Sequence, residues 1–513
     1  MIEVLTARGR RGMVVAGHVL AAEAGRDQLA AGGNAVDAAV AAAAVLAVIC
    51  PYACTIGGDL FALIFGGADG RMEGLNGSGA APAKATEEFY AAGIPRTGPL
   101  SISVPGFVAG LDDMCRRHGT RGLPELLAPA IDLARRGFPA HTQHVRNAQS
   151  RAELLAADAA AARLFLPGGA PPAEGDLVRQ PELAESLAAI AARGAQAFYE
   201  GEMARRMADA VAAVGGVLTA DDFEQHRSLW QAPMAIDFAG HDVATMPPNS
   251  YGLTLLLQLL EMQSGGIGAV DPAGAEFVLR GLKARRNAYR AADGVIGEPA
   301  TLEAPARELL AAAIGSRLAP GLGSPAESRD RGTSCVVVID ERGNAVSLIQ
   351  SVSAPFGSGI VAPGTGILLN NRMAGFSAKP GHPNRVAPGK RPAHTLAPCL
   401  VTRGGKAVMA IGTPGTVGQT CTLAQIIARI LACGEDIATA IAAPRWSVTL
   451  EGKPAVEKAM SEELRAAIAA VEPSLDVMPT GWIAFGSVKI AAVDDFGLAG
   501  YADSRRVAAP AAW

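Results

Sequence analysis

Apolar and polar positions along the chain fall into blocks of different period. Met13–His18 (MVVAGH) is a short apolar run that predicts a strand, and an alanine-rich stretch from about Val19 to Ile49 predicts helix, broken by AGGNAVD at residues 31–37. In that turn Asn34 is suited to cap the second helix, and Asp37 falls near its N-terminus, where the backbone dipole favours a carboxylate. Between Gly57 and Ser78, FALIFGG and MEGLNGSG alternate apolar and small residues as paired strands do. Helical periods dominate from about Pro105 to Val270, interrupted by the loop PGGAPPAEG at 167–175. Near the end of that region the strand-like HDVATMPP leads into an apolar helix, LTLLLQLLEM.

An abrupt change follows. Residues 315–332 (GSRLAPGLGSPAESRDRG) are rich in Gly, Pro, Ser and charge and read as an exposed, mobile loop. Directly after it, TSCVVVIDERGNAVSLIQSV reads as strand, turn at Glu341–Asn344, and strand, so the change from loop to β falls at Thr333. A second Pro/Gly-rich basic loop covers 379–392, placed to act as a lid over a site. No internal repeat of about 20–50 residues is present.

Composition narrows the function classes. The 513 residues are 50% apolar and 18% charged, which excludes a disordered or coiled-coil protein. Length alone gives a prior of roughly three domains, but no polar linker separates them. Lys and Arg number 45 against 49 Asp and Glu, a formal charge of −4, so the chain carries no electrostatic footprint for nucleic acid. Mean hydropathy is slightly positive, yet the most apolar run, Ala38–Cys50, is mostly alanine and stops at Pro51, short of the ~20 residues a membrane span needs. The basic N-terminus has no apolar h-region after it, which points to a cytoplasmic protein. The seven scattered cysteines fit reduced thiols rather than a disulfide framework.

Several chemical motifs fall short. His141 and His144 form an HxxH pair without a glutamate or a third ligand, and Cys50 with Cys54 lacks a second pair for zinc. PGTVGQ and FGSGI match neither a P-loop nor a dinucleotide fingerprint, and GxSxG is absent. The Gly332–Thr333 junction remains. A threonine opening a strand after a loop can attack the preceding carbonyl carbon in an N-to-O acyl shift that water resolves into two chains. The freed α-amine, with an ordinary pKa of about 7.7–8, can then serve as base for the adjacent hydroxyl. This chemistry needs no cofactor and no metal. On spacing alone, Gly-Thr after a loop is common and reads more readily as a structural junction than as a nucleophile.

Residues 333–377, with their Thr-Ser opening, GNAVS turn, FGSGI and GILLNN, resemble the start of the small subunit of the γ-glutamyltransferase family. Upstream, AGGNAVDAAVAAA, IGGDLFALI, APAKAT, SVPGFVAG and MPPNSYG resemble the large-subunit landmarks in order; downstream, PGKRPAHTLAP, GTPGTVGQ and APRW complete the set. The resemblance implies an α/β fold, the αββα sandwich of the N-terminal-nucleophile hydrolases. It also implies a precursor that cuts itself between Gly332 and Thr333 into two intertwined chains, 1–332 and 333–513, of roughly 34 and 18 kDa. A higher homo-oligomer is left open.

The family acts on amides through an acyl-threonine intermediate, typically on the γ-glutamyl group. By resemblance, Thr333 is the nucleophile, and Ser351 stands where the family has a second threonine supporting the nucleophile's amine. Gly415 and Thr416 match the two glycines whose N–H groups form the oxyanion hole; threonine at 416 implies a loop conformation open to non-glycine residues. The substrate-gripping positions differ. Ser78 stands at the family's carboxylate-binding arginine, and Ser353, Arg372 and Gly375 at its asparagine, glutamine and aspartate. His394 and Thr395 replace two serines. Arg372 turns an ammonium-binding corner cationic, suited to a carboxylate or another polar acyl substituent. Tyr289 and His394 are further candidates to line the pocket.

SLIQS, NNR and KRPAHT are similar to a divergent cytoplasmic branch of the family that includes small-amide hydrolases. The leading expectation is a self-processing amidohydrolase for a small, polar or anionic amide. Two alternatives stay open: a γ-glutamyltransferase/glutathione hydrolase with a different recognition set, and an uncut, catalytically silent protein of this fold. Cys335 returns to the same face of the strand as Thr333 and reads as a buried thiol.

Overall fold

The computed structural model describes residues 2–314, 332–377, 379–449 and 452–513; of the predicted 315–332 loop only Gly332 falls among them. Two seven-stranded antiparallel sheets form the centre of the fold. The first runs Ala509–Ala512, Gly12–Ala16, Gly332–Asp340, Ala345–Ser353, Asp59–Phe65, Met72–Gly77, Leu229–Gln231. The second runs Val4–Gly9, Gly497–Asp503, Lys489–Asp494, Lys406–Gly412, Cys399–Arg403, His241–Thr245, Met234–Phe238.

Strand alternation builds the layers. Cys335, Val337 and Ile339 point inward and share a core with Val15, Leu63, Leu400, Ala410 and Ala491, so the two sheets lie face to face. The intervening Val336 and Val338 point outward, with Val14 and Leu348, onto the helices Val19–Ala30 and Ala35–Ile49. On the far side Val243, Val401, Ile411 and Ile490 pack with the helices Gly252–Ser264, Ala275–Ala292 and Gln419–Ile427. The order is helix, sheet, sheet, helix, as the family resemblance implies.

A strand apolar on both faces is poorly fixed in register by hydrophobicity, since a one-residue slip exposes nothing. The turn at 341–344 supplies the register. Asp340 Oδ1 accepts from the N–H groups of Arg342 at 2.9 Å and Asn344 at 3.0 Å, while Gly343 takes φ +78°. Asp340 Oδ2 also accepts from Ala35 N–H at 2.9 Å, which ties the hairpin to the second helix. Asn34 and Asp37 form the reciprocal cap expected of them. From this pinned turn the ladder runs to Gly332 opposite Ser353, with a register shift between Gly332 and Ser334.

The region 105–270 holds more strand than its helical periods predict. Leu229–Gln231 and Met234–Phe238 are edge strands, one on each sheet. Both are too short to dominate a periodicity window, although Met234–Phe238 alternates buried and exposed positions. The Lys390–Arg391 end of the 379–392 loop is fastened rather than loose: Ala81 N–H donates to Lys390 O at 2.8 Å and Arg391 Nε to Ser78 O at 3.1 Å.

Candidate active site

Thr333 lies at the open end of the hairpin, 7% exposed. Its Oγ1 is 3.4 Å from Ser351 Oγ, on the neighbouring strand. The Ser351 hydroxyl donates to the Gly332 carbonyl oxygen, the acyl oxygen of the bond before Thr333. Ser351 Oγ in turn accepts from Ser353 N–H at 2.8 Å and from Arg372 Nη2 at 3.2 Å. Ser353, set among the substrate-gripping positions by resemblance, thus contributes a backbone donor from a residue at φ +79°.

Arg372 is fully buried. Its Nε meets Asp59 Oδ2 at 3.0 Å, and its own N–H is held by Asn370 Oδ1 at 2.9 Å. The cationic corner expected at this position is therefore met by a carboxylate of the same chain. Asp59 opens the strand that pairs with Ala345–Ser353, and the register sets it opposite Ser351. Its other contacts are Gly79 N–H at 3.0 Å and His394 Nε2 at 3.3 Å. Burial pushes the Asp59 carboxyl up, but the His394 hydrogen bond, the Arg372 charge and the Gly79 N–H outweigh it and hold it below the usual carboxylate range.

Asp59 is the residue that sequence reasoning missed. Its signal was a lone carboxylate between two glycines and the apolar run LFALIF, a position that has to find a cation or donors once buried.

His394 is buried edge-on to Phe61, ring centroids 4.9 Å apart, and Nδ1 accepts from Leu396 N–H at 3.4 Å. That acceptor role leaves Nε2 to carry the proton toward Asp59. Thr395 is placed beside the glycine loop: the Gln419 amide, turned to satisfy its neighbours, donates to the Thr395 carbonyl at 3.1 Å and the Thr413 carbonyl at 3.3 Å. Ser78 is fully buried, but its hydroxyl is taken up by Asn76 Oδ1 at 2.6 Å, and it accepts from Asn249 Nδ2 at 3.1 Å. Gly375 closes the short turn Arg372–Gly375, and its carbonyl accepts from Asn384 Nδ2 at 2.9 Å.

Gly415 and Thr416 lie in the loop between the Lys406–Gly412 strand and the Gln419–Ile427 helix. Gly412, just before that loop, packs against Cys335, and a Cβ there would lie 3.3 Å from the Cys335 Cβ. The loop therefore rises from the opposite sheet two residues along the strand from Thr333. Thr416 has φ +57°, in the left-handed region that a β-branched residue rarely adopts, rather than the more permissive conformation its side chain suggests. Three of the four non-glycine residues with positive φ among the described residues, Ser353, Phe356 and Thr416, lie in the segments that form this site.

Tyr289 supports the loop from behind: its hydroxyl donates to Val417 O at 3.0 Å, pairs with Thr420 Oγ1 at 2.9 Å, and its ring stacks on Tyr251. Cys335 is fully buried in the inter-sheet core, and burial raises its thiol pKa. His141 and His144 flank the Tyr52 ring, their own ring centroids 6.2 Å from each other. No group of three or more His, Cys, Asp or Glu able to hold a metal occurs among the described residues. Nor is any helix among them long and apolar enough to cross a membrane.

Such an arrangement can support acyl transfer: a hydroxyl next to a peptide carbonyl, a donor on that carbonyl's oxygen, and a strand–loop–helix junction rising from the facing sheet. The chain is 39% identical to the glutathione hydrolase-like YwrD proenzyme of Bacillus subtilis, over 85% of each chain. It is 35% identical to the oxamate amidohydrolase proenzyme of Klebsiella pneumoniae, over 85% of this chain and 84% of the relative. The crystal structure of cephalosporin acylase from Bacillus halodurans superposes with a TM-score of 0.91 at 30% identity, covering 99% of this chain and 97% of that one. With a match to the Gamma-glutamyltranspeptidase family model over residues 21–513, the chain is an enzyme of the γ-glutamyltranspeptidase family.

Proposed function

We propose that this enzyme cuts itself between Gly332 and Thr333 and then hydrolyses a small polar or anionic amide through an ester on the Thr333 hydroxyl. The observation that carries the reading is the buried contact of Thr333 Oγ1 with Ser351, whose hydroxyl sits on the Gly332 carbonyl oxygen. After the cut, the Thr333 α-amine, with an ordinary pKa of about 7.7–8, acts as base for its own hydroxyl at neutral pH. The N–H groups of Gly415 and Thr416 receive the oxyanion; one such donor is typically worth about 3–4 kcal/mol. Attack forms the acyl ester and releases the amine, and water completes the cycle.

The recognition residues support a substrate other than a γ-glutamyl group. Ser78 is spent on Asn76 and Asn249, and Arg372 faces Asp59 and Ser351. The oxamate amidohydrolase relative favours the same class of small anionic amide.

Denaturing electrophoresis of fresh protein is expected to give two bands of roughly 34 and 18 kDa, the smaller starting Thr-Ser-Cys by N-terminal sequencing. Thr333→Ala is expected to give one band and no turnover. Assayed side by side, oxamate and related small anionic amides are expected to exceed a γ-glutamyl anilide in kcat/KM. An uncut chain that turns over substrate would refute the nucleophile. Saturable γ-glutamyl turnover at low substrate would restore the glutathione-hydrolase reading.

A further inference from the structure

A buried ion pair is a weak source of stability, because desolvation offsets much of the Coulomb attraction. The geometry of Asp59 and Arg372 indicates what else the pair does. A serine oxygen has two lone pairs and one proton. Ser353 N–H at 2.8 Å and Arg372 Nη2–H at 3.2 Å are groups that only donate, and both are aimed at the acceptor side of Ser351 Oγ. The Ser351 proton is left for the Gly332 carbonyl oxygen. Ser351 Oγ also accepts from the Thr333 hydroxyl, at the longer distance of 3.4 Å. Its chemical role is that of a donor aimed at the acyl oxygen. Asp59 fixes the donor geometry: it holds Arg372 Nε at 3.0 Å while the same guanidinium reaches Ser351, and Gly79 and His394 hold Asp59.

We propose that Arg372, anchored by Asp59, is a positioning residue for self-cleavage: it turns the Ser351 hydroxyl onto the Gly332 carbonyl oxygen, where that hydroxyl steadies the charge formed as Thr333 adds. The proposal rests on Thr333 being the nucleophile. In the step, the Thr333 Oγ1–carbon bond forms and the C=O electron pair moves onto oxygen. Collapse breaks the carbon–nitrogen bond, and the Thr333 nitrogen leaves as an amine carrying the hydroxyl proton. An ester then joins Gly332 to the Thr333 oxygen, and water hydrolyses it to a Gly332 carboxylate and a free Thr333 hydroxyl. The cationic residue that resemblance assigns to substrate binding thus acts first on the chain itself.

The test follows the cleavage of newly synthesised full-length chain on denaturing gels. Ser351→Ala is expected to slow cleavage by about 10²-fold or more, the usual loss for one oxyanion donor. Arg372→Gln is expected to slow it by about tenfold, and Ser351→Thr to keep the wild-type rate. Hydroxylamine, which cleaves esters, should accelerate neither slow variant, because the ester does not form. Circular dichroism and a cooperative melt check folding; should Arg372→Gln fail to fold, Arg372→Lys, which cannot span Asp59 and Ser351 together, should cleave at an intermediate rate.

Arg372→Gln or Arg372→Lys cleaving at the wild-type rate would overturn the proposal, and so would acceleration of Arg372→Gln by hydroxylamine, which would place the defect after ester formation. Failure of the wild-type chain to be cut before Thr333 would instead remove the nucleophile reading beneath it.

Discussion

A carboxylate without solvent has to be held by its neighbours, and Asp59 is held by Arg372, His394 and the Gly79 N–H. Asp59→Asn leaves the Arg372 charge buried without its carboxylate, a change of the kind that costs about 3–5 kcal/mol. The pH dependence follows from the depressed pKa of the folded state. The stabilisation is fully present above the unfolded carboxyl pKa of about 3.9 and is lost as pH falls through the lower folded value. Urea denaturation at a series of pH values is expected to show a constant gap between wild type and Asp59→Asn from neutral pH to about 4, narrowing below that. A gap that closes well above pH 4 would contradict the assignment.

Thr416 carries the opposite kind of cost. Left-handed backbone at a β-branched residue costs about 1–3 kcal/mol, and glycine gives back part of that in unfolded-chain entropy. Thr416→Gly is expected to stabilise the protein by about 1 kcal/mol, read as a higher urea midpoint. Thr333, Ser351 and Thr416 were legible as candidates because motif order singled them out. Asp59 was not, because its importance arises only when two strands in register and a distant turn bring it to Arg372 and His394.

At the scale of elements, the pattern was legible wherever one period ran long enough. The two alanine-rich helices with their Asn34 cap, the paired strands at 59–77 and the hairpin at 332–353 all follow from period, turn residues or capping. The edge strands at 229–238 did not, since three- and five-residue segments are placed by their neighbours rather than by their own pattern. Tyr289 is a similar case. Sequence reasoning put it in the pocket wall, while the structure uses its helix, Ala275–Ala292, as a brace for the 413–418 loop through Val417 and Thr420.

Removing one such hydroxyl costs about 1 kcal/mol, equivalent to roughly fivefold in rate if the loop's donors are felt mainly in the transition state. Tyr289→Phe is expected to lower kcat about fivefold with KM nearly unchanged. A change confined to KM would place Tyr289 in substrate binding instead.

At the scale of the whole molecule, the proposed cut does not divide the protein into two bodies. In the sheet that carries Thr333, strands Gly12–Ala16 and Asp59–Phe65 from before the cut flank Gly332–Asp340, which the cut enters after its first residue, and Ala345–Ser353 beyond it; Ala509–Ala512 closes the edge. In the other sheet, Val4–Gly9 and His241–Thr245 bracket four strands from the C-terminal part. Separating the chains would break ladders in both sheets and expose the inter-sheet core, to which residues on both sides of the cut contribute. A core assembled in the uncut chain would keep its contacts when a bond at its rim is cut. The cut protein is expected to elute from a native sizing column with both fragments together, at the position of uncut Thr333→Ala, and to unfold in one cooperative transition. The fragments should part only when denaturant unfolds both. Recovery of a folded fragment of roughly 34 kDa alone under native conditions would show that the strands do not interlock as this topology requires.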